Sequence, residues 1–323
     1  MKNTTLHAAV ALLAAISCAC LLSACGGASG SAQSLLDDTF SGHTQIESGN
    51  VNLSFALGAA GRSAATKPLA VRLSGPFENA GAGKLPRFAL QLQLSAAGHA
   101  LQAGATSTGS ALFVELAGTW FSTPDSTYKA LEEGYAQATK TASTAKVRST
   151  FSSLGIEPGH WLSNPTKVGT TTIAGVQTVH LTASVDIPAF LADVSKLSQA
   201  GGALGLGSPV PGAGTGTGTL SPTVITELAK SIKSAHVDIY TGQSDHLLRR
   251  LEVSATVSAT PQTQALLGGL STADVKVLLE FSGLNKPQTI AAPSNPQPPS
   301  QLLPALQQLV GVLRGVSSSG SGL

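Results

Sequence analysis

The sequence predicts an α+β fold built on a large antiparallel β-sheet. Several stretches alternate apolar and polar side chains with a period of two, most clearly at residues 88–94, and this pattern indicates strands with one buried face. The connections between these stretches are short, which favours antiparallel neighbours, because parallel strands need long crossovers. Helical spacing of apolar residues occurs only in a few separate segments.

The first half of the chain is predicted to contain a short helix at residues 34–40, then strands, then a second helix. The predicted strands cover residues 51–57, 69–73, 88–94, 101–106 and 112–116. The second helix is predicted to begin at Pro124, which suits a first helical turn. Ser122 or Thr123 is its expected cap, and Asp125 completes a capping-box spacing from Ser122.

The second half is predicted to repeat the sequence of strands followed by helices. The expected elements are a hairpin at 167–173 and 176–185, helices at 186–197 and 222–232, strands at 235–240, 248–259 and 275–281, and a final helix at 302–313. Residues 201–219, between the two middle helices, are almost wholly small or apolar. This composition predicts a mobile loop.

The N-terminus is typical of a bacterial secretory signal, with Lys2 as its single cation and an apolar stretch too short for a spanning helix. Leu22-Ser23-Ala24-Cys25 closes that stretch and resembles the lipobox of bacterial lipoproteins, whose peptidase cuts before a cysteine that carries a diacylglycerol. The resemblance implies that residues 1–24 are a signal peptide and that Cys25 is the lipid anchor. Residues 25–32 then form a lipidated tether.

The remaining chain is expected to form one domain over residues 33–314, with 201–219 as a flexible insertion and 315–323 as a disordered tail. Three cysteines occur in the sequence, at 18, 20 and 25, so the mature chain has no disulfide and no cysteine nucleophile. Loss of the signal leaves 18 basic and 17 acidic side chains, which indicates no electrostatic partner. Lys and Arg are scattered, so nucleic-acid binding is not expected.

Charged residues make up 11% of the chain, against about 25% in ordinary soluble domains, and mean hydropathy is +0.20. No run of about 18 apolar residues follows the signal, so the apolar excess must enter a core, an interface or a lined cavity.

No enzyme, cofactor or metal chemistry is indicated by the motifs. The seven histidines contain no pair at zinc-motif spacing, and His180 on a predicted strand is best explained as a satisfied or solvent-facing residue. No G-x-S-x-G motif marks a serine hydrolase. The glycines at 212–218 lack the Lys-Ser/Thr ending of a phosphate loop.

The order of elements resembles the LppX/LprG group of actinobacterial lipoproteins, which shares its fold with the LolA and LolB lipoprotein carriers. The resemblance covers nearly the whole mature chain. The positions that carry it are Trp161-Leu162, Gly169, Gly175, His180, Val185-Asp186 and the Ile290-Ala291-Ala292-Pro293 exit from the sheet.

This resemblance implies a strongly curved antiparallel sheet, a half-barrel, with helices covering a concave face that encloses an apolar cavity for acyl chains. The residues expected to line that cavity are Leu53, Phe55, Leu90, Leu92, Val114, Leu116, Leu181, Val253 and Val277. Periodicity alone equally fits a plain hydrophobic core, and a shift of register would turn any of these side chains outward. The loop at 201–219 and its flanking helices are the expected cover.

Members of the group bind or carry lipids, glycolipids or lipidated molecules and are not enzymes, so the resemblance implies lipid or lipidated cargo. It also implies an exported protein, anchored on the outer face of the cytoplasmic membrane or on the outer membrane of a diderm host. The alternative is a non-carrier lipoprotein whose half-barrel is filled by its own side chains. Such a protein acts as an adaptor or sensor for an envelope protein partner, such as a transporter. A third possibility, chaperoning of other lipoproteins, differs from the first only in cargo.

Replacement of Cys25 by Ser is expected to move the protein from membrane to soluble fractions, because a chain without acyl groups loses its stable attachment to the bilayer. Cell fractionation of the wild type and of Cys25→Ser measures this shift. Retention of the variant in the membrane fraction would reveal a different anchor.

Overall fold

The strands of the computed structural model belong to one antiparallel sheet. They are β1 Ser48–Ala59, β2 Leu69–Glu78, β3 Arg87–Ala96, β4 His99–Ser107, β5 Leu112–Leu116, β6 Thr119–Ser122, β7 Leu162–Ile173, β8 Val176–Val185, β9 Ile232–Gly242, β10 Leu248–Ser258 and β11 Thr272–Ser282. Their spatial order is β6-β5-β4-β3-β2-β1-β11-β10-β9-β8-β7.

The structure describes residues 30–40, 45–59, 69–96, 99–143, 158–193, 222–264, 271–305 and 307. The chain divides into two compact units, Met1–Ser31 and Ala32–Leu323, and the sheet belongs to the second. The predicted signal peptide, the lipid anchor at Cys25, the insertion at 201–219 and the tail at 315–323 lie outside the described residues. These predictions therefore stay predictions.

Two meanders make up the sheet. Strands β1 to β6 pair in sequence, strands β7 to β11 pair in sequence, and the first and last strands join the two groups. The β1–β11 junction is long, with ten paired residues from Asn50 with Ser282 to Ala59 with Ala273. The predicted fold class is confirmed, because the sheet is antiparallel and open, a half-barrel whose edges are β6 and β7.

The described helices lie before, between and after these strands. They are α1 Ala32–Phe40, α2 Asp125–Ser143, α3 Pro158–Trp161, α4 at 187–193, α5 Pro222–Ser231 and α6 Pro261–Gln264, with a 3-10 turn at Pro299–Gln301 that leads into helical residues at 302–305. Helix α2 follows β6 at one edge of the sheet, and α3 precedes β7 at the other edge. The connection between the two meanders therefore leads from one edge of the half-barrel to the other.

Buried apolar side chains lie where α1 and α3 pack against β7, with α4 in contact with α3. Leu35 and Leu36 of α1 are buried, as is Trp161 of α3. The Trp161 ring meets Phe190 of α4 edge to face at 5.0 Å, and its Nε1–H donates to Oδ2 of Asp193 at 3.1 Å. The N–H of the buried indole thus has a hydrogen-bond acceptor.

The expected cap of α2 is wrong. The Ser122 hydroxyl donates to the carbonyl of Gln297 and the Thr123 hydroxyl to the carbonyl of Leu112. The N–H groups of Thr127 and Tyr128 donate to the Pro124 carbonyl, and neither hydroxyl accepts a hydrogen bond from the first turn. Strand β6 lies at an edge of the sheet, and Gln297 pairs there with the backbone of β6. The Gln297 carbonyl is therefore close enough to accept the Ser122 hydroxyl.

Other strands also differ from the predictions, among them β9, which begins at Ile232, the expected last residue of a helix. Strand β7 begins at Leu162 and takes in Asn164 and Pro165, which were expected to precede it. An edge strand tolerates a proline, and the pairing with β8 shifts at this point, where Asn164 has a φ of 50°. Strand β6 was not predicted, because four residues carry too little alternation to be recognised.

Replacement of Ile239 by Ala is expected to lower the free energy of unfolding by about 2–5 kcal/mol, because the side chain is fully buried and its removal leaves a cavity. Urea denaturation measures the loss. Val168, 58% exposed on the edge strand, supplies the control, since Val168→Ala is expected to change stability by no more than about 0.5 kcal/mol. Equal losses in the two variants would contradict the placement of the core.

Candidate functional site

Cross-strand pairing creates a continuous apolar face on the sheet. Residues paired directly across antiparallel strands point to the same side, so a row of pairs defines one face. The first row is Leu116, Ala103, Leu92, Leu73, Leu53, Leu279, Leu251, Ile239 and Leu181. The second row is Leu101, Leu94, Val71, Phe55, Val277, Val253, Val237 and Ala183.

The opposite face of the sheet is polar. Nε of Arg72 donates to Asn52 at 3.0 Å, and Nε2 of Gln91 donates to Glu115 at 2.9 Å. The apolar and polar side chains of each strand are thus sorted onto different sides, as the period-two patterns predicted.

Burial varies along the apolar face. Leu181, Val237 and Ile239, on β8 and β9, have no accessible surface, because helices cover that side of the sheet. On β1, β2, β3 and β11 the corresponding side chains, such as Leu53 and Leu92, are only half-buried. A run of aliphatic side chains that is paired in register but incompletely covered is the candidate binding surface.

All nine predicted lining residues belong to this face. Seven of them belong to the two rows: Leu53, Phe55, Leu92, Leu116, Leu181, Val253 and Val277. The other two belong to a neighbouring row on the same face, in which Ala105 pairs with Leu90 on one side and with Val114 on the other. Seven of the nine are half-buried, whereas Leu181 and Val253 are buried. Their role in holding a ligand stays a prediction.

Helix α2 crosses one end of this face. Its Glu132 pairs with Lys84 in the β2–β3 connection at 3.7 Å. Tyr128 of the same helix is buried, and so is Ser107, which ends β4 on the apolar face. Among the described residues neither hydroxyl has a partner with hydrogen-bonding distance and angle, although the Ser107 hydroxyl is near enough to Tyr128 to lower its pKa as a weak hydrogen bond would.

An arginine on the apolar face was not predicted. Arg249 has the same phase as Leu251 and Val253, which is the signal in the sequence that could have revealed it. A bulge in the pairing of β10 with β9 leaves Arg249 as the extra residue between Leu248 and Arg250. Its side chain is 7% exposed.

The polar face carries a stacked cluster on β8, β9 and β10. His180 lies parallel to the ring of Tyr240 at 4.4 Å, and its Nε2 is 2.7 Å from Oδ1 of Asp238. His236 reaches the other oxygen of Asp238 at 3.1 Å. His180 is thus satisfied, as predicted, and within the described part of the chain no three metal-ligating side chains come together.

In the regions that the structure describes, no helix has the length and apolar character needed to span a bilayer.

Comparison with known proteins finds structural matches alone. No family model and no curated protein matches the chain. LprF from Mycobacterium bovis matches 81% of this chain and 96% of its own, with 13% identity and a TM-score of 0.40. The lipoprotein LppX from Mycobacterium tuberculosis matches 80% of this chain and 98% of its own, with 13% identity and a TM-score of 0.33.

A LolA superfamily protein from Nitrosomonas europaea also matches, over 81% of this chain and 96% of its own, with 10% identity and a TM-score of 0.19. Solved proteins of the LppX and LolA groups are thus among the structures that this chain matches over most of its length. The function of the site is therefore inferred from this chain's own side chains.

Replacement of Tyr128 by Phe is expected to leave the free energy of unfolding at pH 8 unchanged or slightly higher, because the lost hydroxyl has no partner. Burial, reinforced by the charge of Glu132, raises the pKa of Tyr128 above its usual value, and Ser107 partly offsets the rise. The fold therefore favours the neutral phenol. Its contribution is complete below the usual tyrosine pKa of about 10 and is lost as pH rises through the folded pKa.

The alkaline loss of stability should consequently be smaller in Tyr128→Phe than in the wild type, as urea denaturation at pH 8 and pH 11 would show. Ser107→Ala is the control, since it keeps the phenol and removes the group that lowers its pKa. A marked loss of stability in Tyr128→Phe at pH 8 would mean that the hydroxyl has a partner.

Proposed function

We propose that the chain is an exported, membrane-anchored lipoprotein of the cell envelope that binds or transfers lipids, glycolipids or lipidated molecules. The observation that supports this proposal is the half-buried centre of the apolar face. Seventeen aliphatic or aromatic positions stand in two registered rows, and those on the central strands keep accessible surface.

A plain core would bury these side chains completely, because accessible aliphatic surface costs about 25 cal/mol for each Å² left in water. The pairing of β1 with β2 and β11 fixes the backbone under them, so the face cannot collapse by moving one strand alone. Acyl chains supply the missing cover. They match the aliphatic character of Leu53, Leu73 and Leu92.

The energy of acyl transfer suits a carrier. Each buried methylene is worth about 0.8 kcal/mol, so a 16-carbon chain gains on the order of 12 kcal/mol in a bilayer or on an apolar protein surface alike. Exchange between the two environments is therefore nearly neutral. A protein that performs it requires apolar surface and access, and no catalytic group is assigned to it.

The proposed anchor complements this role. A lipidated Cys25 holds the protein at the membrane surface, since a diacylglycerol supplies the two chains that stable attachment requires. Residues 26–31 separate the anchor from α1, a distance of at most roughly 20 Å when fully extended. Cargo would be exchanged at short range, on the outer face of the cytoplasmic membrane or on the outer membrane.

The decisive experiment is native mass spectrometry of residues 26–323, exported behind a signal that is not lipidated. The wild type is expected to carry lipid. Leu53→Glu is expected to reduce the occupied fraction about tenfold or more, because a carboxylate on the apolar face must be desolvated without a partner when a chain covers it.

Ser54→Glu is the matched control, because residue 54 is the neighbour of Leu53 in β1 and points to the polar face, opposite Arg72. This variant should retain the lipid. A wild-type protein that is free of lipid and carries a stably bound protein would instead support the adaptor or sensor function.

A further inference from the structure

Arg249 lies inside the protein at the end of the apolar face. Two residues, Leu248 and Arg249, occupy the place opposite Thr241, and the regular pairing resumes with Arg250 opposite Tyr240. Leu248 and Thr241 have no accessible surface, and the Arg249 side chain is 7% exposed. The bulge therefore turns a guanidinium inward near the start of β10, the strand that continues with Leu251 on the apolar face.

The guanidinium of Arg249 is incompletely paired. Its Nη2 donates to Oδ2 of Asp245. Its Nε and Nη1 are inaccessible to solvent, and nothing in the described parts of the chain accepts a hydrogen bond from either. A buried cation whose donors lack partners is unfavourable, so this arrangement requires a compensating group.

The neighbouring arginine is paired much more fully. Arg250, on the polar face, contacts Glu280 through both Nε and Nη2, at 2.8 and 2.6 Å. It also contacts Glu252 at 3.2 Å and lies over the ring of Tyr240 at 5.7 Å. The contrast shows that the fold supplies carboxylates to the outer arginine and leaves the inner one with a single carboxylate.

We propose that Arg249 binds the oxyanion, phosphate or carboxylate, of an amphiphile whose acyl chains lie on the apolar face. This inference rests on the proposed function and specifies its ligand class. A guanidinium presents a planar fork of N–H donors that matches two oxygens of a phosphate or carboxylate, and Nε and Nη1 are the donors that lack a protein partner. Both atoms are covered by protein, so an oxyanion reaches them when the side chains above them move aside. From Arg249 the apolar face continues through Leu251 to the half-buried Leu279 and Leu53, where the chains of such an amphiphile would lie.

The β9–β10 connection fixes the one existing partner. Oδ1 of Asp245 accepts the N–H of Leu247, and a Cβ on Gly242 would overlap that oxygen, so glycine is needed there. His246 of the same connection pairs with Asp38 of α1 at 3.1 Å. Helix α1 is also attached nearby through Thr39, whose hydroxyl donates to Thr241 at 2.8 Å. The arginine is thus held by a connection that is itself held by the helix following the proposed tether.

The test is native mass spectrometry of the full-length lipoprotein released from nanodiscs that contain equimolar phosphatidate and diacylglycerol with identical acyl chains. Wild-type protein is expected to retain phosphatidate over diacylglycerol by about tenfold or more, as charge-assisted hydrogen bonds from a buried arginine predict. Arg249→Gln should bring the ratio close to one. Arg250→Gln is the matched control and should keep the wild-type preference, because that side chain lies on the other face.

A second variant keeps the test decisive if Arg249→Gln fails to fold. Asp245→Asn retains the oxygen that accepts the Leu247 N–H and removes the carboxylate that competes for the guanidinium. It should raise the preference for phosphatidate by about threefold or more. A purely structural Asp245–Arg249 pair would give no such increase.

The remaining outcomes separate this inference from the proposed function. Equal retention of both lipids by the wild type would contradict the anionic headgroup and leave lipid binding intact. Retention of neither lipid would contradict both proposals. Stabilisation by inorganic phosphate alone, measured as a raised Tm without any lipid preference, would assign Arg249 to a free anion and overturn the headgroup.

Discussion

The pairing of the first strand with the last is the constraint on which the rest of the structure depends. Ten residue pairs between β1 and β11 join two meanders that are otherwise far apart in sequence. Because side chains alternate with a period of exactly two, a slip of one residue at this junction would turn every apolar side chain of one meander to the polar side. The correct register instead aligns Leu53 with Leu279 and Phe55 with Val277, so that one apolar face extends across both meanders.

That single face serves two physical purposes. On β8 and β9 it is covered by helices, and Leu181 and Ile239 contribute to stability as an ordinary core. On the central strands the same rows retain accessible surface, and the aliphatic side chains there are available to a ligand. The positions of the helices set the boundary between the covered and the accessible part of the face. Helices α1 and α3 pack on the β7 side, whereas α2 crosses an end of the sheet near Lys84. The stabilising core and the proposed binding surface therefore lie along the same rows of side chains rather than in two domains.

Most strands could be predicted from the sequence, because alternation such as that of residues 88–94 is a local property. The prediction was weaker where contacts between residues far apart in sequence determine the structure. Ser122 and Thr123 have the chemistry of caps, yet a sheet edge draws their hydroxyls to other carbonyls. The β1–β11 partnership is invisible in any local window. Arg249 was missed because adjacent arginines in a strand suggest solvent, although its phase with Leu251 and Val253 indicated the apolar face. The bulge opposite Thr241 could not be predicted from the sequence.

The energetics of the proposed ligand explain why an inward arginine matters. Transfer of an acyl chain between bilayer and protein changes the free energy little, so apolar contacts such as those of Leu53 cannot distinguish one lipid from another. Specificity is a difference between affinities, and polar contacts that one ligand satisfies and another does not generate it. A buried guanidinium with available donors penalises a neutral headgroup by leaving those donors unpaired and rewards an anionic one by pairing them. In the proposed function, the apolar face accounts for the binding of a lipid and Arg249 accounts for the choice of its headgroup.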